Sequence, residues 1–189
     1  MKEILIKIKE RLKVNFDLKD AKVIPDEKRV DIFIKKELTS PVLFYLKEQM
    51  GFKHLMHASV VDWIEEGELE MIFMLWAPKE KVKVFVKTRM DRNNAVMENL
   101  DMIWPQLNTY EREFKEMYGI EFNGLVAPKE FILEDWDGPP PMRRDFDTEA
   151  YAKEVYSERK GREDAQDVRE TIAKRSGEEI PDFAKKYSR

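Results

Sequence analysis

The chain has 189 residues, of which 38% are charged, and its formal net charge is only −4. This length allows one domain with a real core, and the near balance of charge argues against a general binder of nucleic acids or anionic membranes. The absence of cysteine excludes disulfides, thiolate zinc sites, cysteine-ligated iron–sulfur clusters and cysteine nucleophiles. Many Glu, Lys and Arg residues beside few Gln favour a thermophilic source.

The first fifty residues predict two helices separated by short strands. Apolar residues at positions 4, 5, 8 and 12 have helical spacing, so the chain should open with an amphipathic helix. Strands are expected at 22–24 and 30–35, joined by the turn PDEK. Ser40 and Pro41 predict the N-cap and first residue of a second helix, which should end at Gly51.

The next seventy residues predict a sheet followed by a helical region. Three strands are expected at 53–64, 69–76 and 81–88, and the short turns between them favour an antiparallel meander. From about residue 94 to 118 the pattern becomes helical, with a break near Trp104 and Pro105 because proline ends the preceding turn. The order α-β-β-α-β-β-β-α predicts an α+β fold with helices packed on a mostly antiparallel sheet.

Composition divides the chain into three parts. Residues 1–130 should form the α+β domain, 131–148 a segment rich in proline and arginine, and 149–189 a C-terminal arm. Half of the arm is charged, with equal numbers of each sign, so it cannot bury enough apolar surface to fold alone. It is either a solubilising tail or an arm that orders along a partner.

Candidate catalytic groups are few. His54 and His57 lie three apart in a predicted strand, so they face opposite sides and cannot easily share a metal ion. Glu111 and Glu113 could form an acid/base pair, but about 200° separates them around a helix, so they cannot flank one substrate. The chain also lacks a P-loop and a serine-nucleophile elbow. We therefore expect no catalytic site, metal site or bound cofactor.

Residues 107–118 predict an amphipathic helix with one carboxylate out of place. At about 100° per residue, Glu111 falls within the apolar arc, between Leu107 and Phe114. A carboxylate there must find a partner or titrate at a higher pH. The expected partner is a cation, and the candidates are Arg143 and Arg144.

Helix rules account for most of the other residues in this stretch. Arg112 and Glu116 lie four residues apart and are expected to pair on the outer face. Gly119 should take the left-handed conformation that ends the helix.

The segment EDWDGPPPMRRDFD (134–147) has two interpretations. Three prolines stiffen it, a tryptophan offers a large contact surface, and two arginines offer fork-shaped donors to carboxylates. It is either a rigid linker or a recognition segment. Together with aromatic residues of the arm, the partner-docking candidates are Asp135, Trp136, Pro139, Pro140, Arg143, Arg144, Asp145, Phe146, Tyr151, Tyr156, Phe183 and Tyr187.

Two stretches, IWPQLNTYEREFKEMYGIEFNG (103–124) and FILEDWDGPPPMRRDFD (131–147), resemble the respiratory-chain NADH dehydrogenase 30 kDa subunit family, whose members are also called C subunits. The likeness rests on the Trp-Pro pair, the Glu-Arg-Glu triplet, the Gly-Ile ending, the Asp-Trp pair and the Arg-Asp-Phe triplet, in that order. The residues of the family motif are Trp104, Pro105, Glu111, Arg112, Glu113, Gly119 and Gly124.

The resemblance implies a non-catalytic, cofactor-free structural subunit of a complex I-like, ion-translocating oxidoreductase. Such a subunit lies in the peripheral arm, on the cytoplasmic face of the membrane, and docks on the hydrogenase-like large subunit near the iron–sulfur small subunit. The chain itself should not span the membrane, because its longest apolar run covers only residues 71–77.

The sequence departs from quinone-reducing members in one place. Those members usually have His-Pro after Phe-x-Gly, where this chain has LVAP (125–128). The variant GPPPMRRDF is similar to ferredoxin-linked, energy-converting complexes, which include membrane-bound hydrogenases, sulfur-reducing relatives and formate hydrogenlyases. That branch is our prediction. The alternatives are the C subunit of an NADH:quinone oxidoreductase and a stand-alone protein-binding module.

Overall fold

The computed structural model describes residues 2–125, 130–133 and 136–155. The chain divides into two compact units, residues 1–146 and 147–189. The first unit contains α1 (Lys2–Asn15), β1 (Asp20–Ile24), β2 (Arg29–Ile34), α2 (Thr39–Met50), β3 (His54–Trp63), β4 (Glu68–Ala77), β5 (Val82–Asp91), β6 (Val96–Glu98), α3 (Leu107–Tyr118) and β7 (Glu121–Asn123). In the second unit the described element is α4 (Thr148–Val155).

Five strands form the main sheet, in the order β1-β2-β5-β4-β3. The β3-β4-β5 meander is antiparallel, as predicted, and so is the β1-β2 hairpin. The pair β2-β5 is parallel, because the chain returns beside β2 after passing through α2 and the meander. The predicted α+β fold with a mostly antiparallel sheet is therefore confirmed.

The core lies between one face of this sheet and the helices. Along β5, Val82, Val84 and Val86 are buried, whereas the alternate residues are only half-buried, as expected for a strand with one covered face. The predicted amphipathic helix α1 buries Leu5 and Leu12. Each fully buried side chain of this size contributes about 1.5–3 kcal/mol to folding.

The start of α2 differs from the prediction, whereas its end agrees with it. Residues 36–38 form a 3₁₀ turn that runs directly into the helix, so α2 begins at Thr39 and Leu38 occupies the N-cap position. Ser40 therefore lies inside the first turn and does not cap it. Gly51 ends the helix with a φ of 77°, the left-handed conformation that glycine adopts without strain.

The region from 94 to 118 is only partly helical, which corrects the sequence prediction. Residues 96–98 form β6, which pairs in parallel with β7, and α3 begins only at Leu107. Because β7 comes after α3 in the chain, no local pattern around residue 96 reveals this pairing. Within residues 2–125, 130–133 and 136–155, no helix is both long and apolar enough to cross a membrane.

Candidate docking interface

Helix α3 is fixed to the start of β3 by the residues that precede it. Trp104 is buried, and its Nε1 donates a hydrogen bond to the carbonyl oxygen of Lys53 at 3.0 Å. Two residues later, Nε2 of Gln106 donates to the carbonyl oxygen of Leu55 at 2.8 Å. Pro105 lies between them and accepts from the N–H of Asn108. The Trp-Pro pair of the motif thus positions the beginning of α3.

Glu111 is buried in α3, with only 1% of its surface exposed. Its Oε1 accepts a hydrogen bond from the backbone N–H of Leu100 at 2.7 Å, while its buried Oε2 has no partner within the described residues. Burial raises the pKa of this carboxyl group to about 7, although the Leu100 bond acts in the opposite direction. The predicted position in the apolar arc is confirmed, and no substrate could reach this carboxylate.

The predicted cation partner of Glu111 is wrong. Arg143 and Arg144 bind other groups, described below, and the backbone of the turn before α3 satisfies one carboxylate oxygen instead. A backbone N–H is a neutral donor, so it leaves the burial of the charge uncompensated. For that reason the pKa of Glu111 is raised, whereas a neighbouring cation would have lowered it.

Arg112 and Glu116 do not pair with each other, contrary to the prediction. Glu116 accepts hydrogen bonds from the backbone N–H groups of residues 131–133, at 2.6, 2.9 and 3.1 Å. Arg112 donates from Nη2 to the carbonyl oxygen of Glu130 at 2.5 Å, and its guanidinium lies 6.0 Å from the ring centre of Phe131. Bonds between a carboxylate and three backbone donors are stronger than an exposed helix pair. Both side chains therefore hold the chain that follows β7.

The C-terminal end of α3 is closed by residues from far along the sequence. Arg143 donates from Nε to the carbonyl oxygen of Tyr118 at 2.7 Å, and the N–H of Met142 donates to the carbonyl oxygen of Met117 at 3.0 Å. The last carbonyls of a helix lack internal donors and carry partial negative charge, so a guanidinium is a favourable partner.

Gly119 permits this closure. Its φ of 71° is the predicted left-handed helix ending, in which the N–H of Ile120 also bonds back to Phe114. A Cβ at this position would lie 2.9 Å from Cγ of Pro140 and 3.1 Å from Nη2 of Arg143. Glycine is therefore required here for two reasons: the left-handed backbone conformation, and the close approach of residues 131–148, which we call the proline-rich segment.

The buried guanidinium of Arg92 connects the sheet to the same segment. Its Nε and Nη2 bind the two oxygens of Asp62 at 2.7 and 3.0 Å. Its Nη1 and Nη2 also bind the carboxylate of Asp145 at 3.1 and 2.5 Å. Oδ2 of Asp62 accepts a further bond from the backbone N–H of Arg144 at 2.8 Å.

These contacts favour the charged form of each partner. The hydrogen bonds from Arg92 hold the pKa of Asp62 below its usual range, although burial acts against this. Arg92 likewise lowers the pKa of Asp145, and the two carboxylates together raise the pKa of Arg92. The cluster is therefore fully ionised at neutral pH, and its buried charges depend on one another.

The outer side of the segment is built on a compact turn. Nε1 of Trp136 donates to the carbonyl oxygen of Pro139 at 3.2 Å, and its ring contacts Phe146 edge to face at 6.0 Å. Pro139, Met142 and Arg144 are exposed, and Arg144 binds the exposed Glu65 at 2.7 Å. We call these three exposed residues the docking surface.

The remaining predicted residues are dispersed or lie outside the described part. Glu113 is half-buried on α3, and Gly124 follows β7 with a φ of 92°. Tyr151 is half-buried on α4, in the second unit. Outside the described residues lie Asp135, Tyr156, Phe183 and Tyr187.

Sequence reasoning missed Arg92 and Asp62, and it gave Glu116 the wrong partner. One signal was available: Asp62 follows Ala58 and Val60 at the inward-facing positions of β3, where a carboxylate requires a partner. Nothing comparable marks Arg92, which comes directly after β5. Among the described residues, no group of three or more His, Asp or Glu side chains could hold a metal ion.

A family model described as "Respiratory-chain NADH dehydrogenase, 30 Kd subunit" matches residues 32–152. This range covers most of the chain and includes Arg92, α3 and the segment that binds them. The chain belongs to this family.

Similar chains are named as subunits of different oxidoreductases. The chain is 31% identical over 120 residues to the C subunit of F(420)H(2) dehydrogenase from Methanosarcina mazei, covering 63% of this chain and 76% of that one. It is 29% identical over 121 residues to the C/D subunit of NADH-quinone oxidoreductase from a Hydrogenobaculum species, covering 64% of this chain and 21% of that longer one.

Among solved structures, one similar chain comes from the membrane-bound sulfane sulfur reductase, an archaeal respiratory membrane complex. The TM-score is 0.69 and the identity is 30%, with 82% of this chain and 95% of that chain covered. The structural likeness therefore extends across nearly the whole of that chain.

Replacement of Arg92 by alanine should destabilise the protein far more than replacement of Arg144. Arg92→Ala leaves the buried carboxylate of Asp62 without its cation, which should lower the free energy of unfolding by about 3–5 kcal/mol. Arg144→Ala removes only an exposed pair with Glu65, which solvent and salt screen, so it should change the free energy of unfolding far less. Urea unfolding of the purified full chain at pH 7 measures both values. Equal effects of the two substitutions would contradict the assigned roles.

Glu111 should make the protein less stable as pH rises. Its pKa is raised from an ordinary 4.5 to about 7, so the folded state binds more protons than the unfolded state between these values. The free energy of unfolding should therefore decline from pH 4.5 to 7. Glu111→Gln keeps an acceptor for Leu100 and removes the charge, so this contribution should vanish and stability at pH 8 should increase by on the order of 3 kcal/mol.

Thermal and urea unfolding across this pH range tests the effect, with Glu113→Gln as the control on the same helix. The control should retain the decline seen in the wild-type protein. A Glu111→Gln variant with the wild-type pH dependence would show that folding does not raise the pKa of Glu111.

Proposed function

We propose that this chain is a non-catalytic, cofactor-free structural subunit of the peripheral arm of a complex I-like, ion-translocating membrane-bound oxidoreductase. It docks on the hydrogenase-like large subunit, next to the iron–sulfur small subunit, and holds these neighbours in place. The observation that carries this proposal is the docking surface. The segment that presents it is held to the domain by two contacts: Arg92 binds Asp145, and Arg143 binds the end of α3.

Rigidity is what makes this surface suitable for assembly. Binding is weakened when a segment must be ordered as it binds, and a segment already held by its own domain avoids most of that cost. Arginine and methionine are enriched at protein interfaces. Arg144 and Met142 are both exposed, and 55% of the surface of Met142 is accessible.

The state of two carboxylates on α3 supports a structural role. Glu111 is buried and bonded to Leu100, so it is out of reach of any substrate. Glu116 is occupied by three backbone N–H groups, so it is not available as a base. Both groups are used to hold the chain's own turns.

The names of the relatives support an assembly of several subunits. In the Hydrogenobaculum relative, the matching region is about one fifth of a chain whose name joins the letters C and D. Two parts joined in one polypeptide work close together, and we extend that closeness to this chain and its large-subunit partner. Its association with the membrane would be indirect, through the complex and on the cytoplasmic side.

We assign the complex to the ferredoxin-linked, energy-converting branch. The LVAP sequence at 125–128 differs from the His-Pro of quinone-reducing members. In addition, a chain of the sulfane sulfur reductase complex is 30% identical to this one. Sulfur reductase and membrane-bound hydrogenase are both compatible with this branch. The alternative, the C subunit of an NADH:quinone oxidoreductase, is favoured by the name of the Hydrogenobaculum relative.

The second unit would complete the attachment. We propose that residues 149–189 form an arm that wraps a partner, beginning in α4 with Tyr151. The equal numbers of opposite charges in this arm suit many dispersed polar contacts with a neighbour, and its aromatic residues would serve as anchors.

Affinity purification of the tagged chain from detergent-solubilised membranes of its source cells tests the assignment. We expect recovery of a hydrogenase-like large subunit and an iron–sulfur subunit, identified by mass spectrometry. The double substitution Met142→Glu and Arg144→Glu should reduce their recovery about ten-fold, because like charges or unpaired charges at an interface are strongly unfavourable.

The control is Lys13→Glu with Val14→Glu, two exposed positions at the end of α1. This control should recover both partners at the wild-type level. Recovery of the wild-type chain alone would refute the assignment, and equal losses in both double variants would refute the role of the docking surface.

A further inference from the structure

A groove lies far from the docking surface in sequence, between α1, the end of α2 and the turn that joins β4 to β5. Its volume is about 620 Å³, within the range of sites that enclose ligand-sized groups. Its apolar lining consists of Ile4, Ile8, Met50, Phe52 and Pro78. Ile4, which lines the groove, is 37% exposed. The groove therefore leaves apolar area in contact with water.

Four cations surround this apolar lining. Lys7, Arg11, Lys53 and Lys79 are all exposed, and among the described residues none of them forms an ion pair with a carboxylate. Arg11 instead donates from Nε to the hydroxyl of Tyr45 at 2.9 Å. The acidic residue of the lining is Glu80.

This concentration of positive charge is local. The chain as a whole carries a net charge of −4, so four cations around one groove contrast with an acidic average. Lys7, Lys53 and Lys79 have no carboxylate partner among the described residues, and they surround exposed apolar surface with positive charge. That charge would be complementary to an acidic ligand.

We infer that this groove binds an acidic segment of a neighbouring subunit that carries an apolar side chain as its anchor. The inference rests on the proposed function, since the complex supplies the neighbour. The apolar anchor covers Ile4 and the surrounding lining, and carboxylates on either side of it pair with Lys7, Lys53 and Lys79. The contact is a second attachment, separate from the docking surface.

The shape of the groove favours a protein segment over a lipid surface. A bilayer binds apolar side chains that project from a protein, whereas Ile8 and Phe52 are buried at the floor of a concave site. A peptide side chain can enter such a concavity, as the anchors of many recognition motifs do.

Photo-crosslinking in the assembled complex identifies the occupant. The chain with p-benzoylphenylalanine at Ile4 is expressed in the source cells, the complex is purified, and the crosslinked peptide is sequenced by mass spectrometry. We expect a segment of another subunit in which acidic residues flank an apolar one. The same crosslinker at Val14, an exposed position outside the groove, should not label that segment.

Three outcomes would overturn the inference. These are a crosslink to lipid, a crosslink to a neutral or basic protein segment, and a yield at Ile4 no higher than that at Val14. A crosslink to a second copy of this chain or to its own residues 156–189 would also assign the groove another occupant.

Charge reversal provides an independent test in the same complex. Lys7→Glu with Lys53→Glu should lower retention of this chain about ten-fold during washing in moderate salt, because both cations then repel the acidic segment. The control pair, Lys13→Glu with Lys19→Glu, makes the same change in net charge at exposed positions outside the groove. Equal retention of the two variants would refute the inference. If no neighbouring subunits are recovered at all, the proposed function fails, whereas intact recovery with these negative results rejects the groove alone.

Discussion

The buried guanidinium of Arg92 joins parts of the chain that are distant in sequence. It binds Asp62 on β3 and Asp145 in the proline-rich segment, and its own backbone N–H bonds to Gly67 in the β3-β4 turn. A charge in this position is stable only while its partners remain, because removing one leaves another buried and unpaired. The closed arrangement of the segment is therefore coupled to the integrity of the sheet.

Helix α3 provides the second support, with one contact near each end of the segment. Glu116 holds the backbone at residues 131–133, and Arg143 closes the last turn of the helix at Tyr118. Gly119 makes the second contact possible, since any larger residue would collide with Pro140. What resembles a linker in sequence is consequently part of the domain and presents a fixed surface.

This arrangement changes the meaning of the Glu-Arg-Glu triplet. Glu111 stabilises the turn before the helix, and Arg112 holds the chain that follows β7. Glu111 and Arg112 thus organise the two sides of α3. This order would suit the structural role proposed above, because such a role depends on the distances that a subunit maintains between its neighbours.

The elements that the sequence predicts well are those with local patterns. The meander follows from alternating residues in β3, β4 and β5, and the burial of Glu111 follows from the helical period of α3. The short strand β6 could not be predicted, because its partner β7 lies beyond α3.

The partners of the charged side chains were harder still to predict. Helical spacing pairs Arg112 with Glu116, yet both bind backbone groups of a segment that begins at residue 130. Arg92 had no local signal, and its role depends on Asp145, 53 positions away. Spacing shows which charged residues need partners, whereas the choice of partner depends on tertiary contacts.

Hydrogen–deuterium exchange of the full chain tests most directly whether the segment belongs to the domain. We expect slow exchange at five backbone amides, because each donates to a group on α3 or β3: those of Phe131, Ile132, Leu133, Met142 and Arg144. Exchange of these amides at the rates of an unstructured peptide would contradict it, since the segment would then be a free linker.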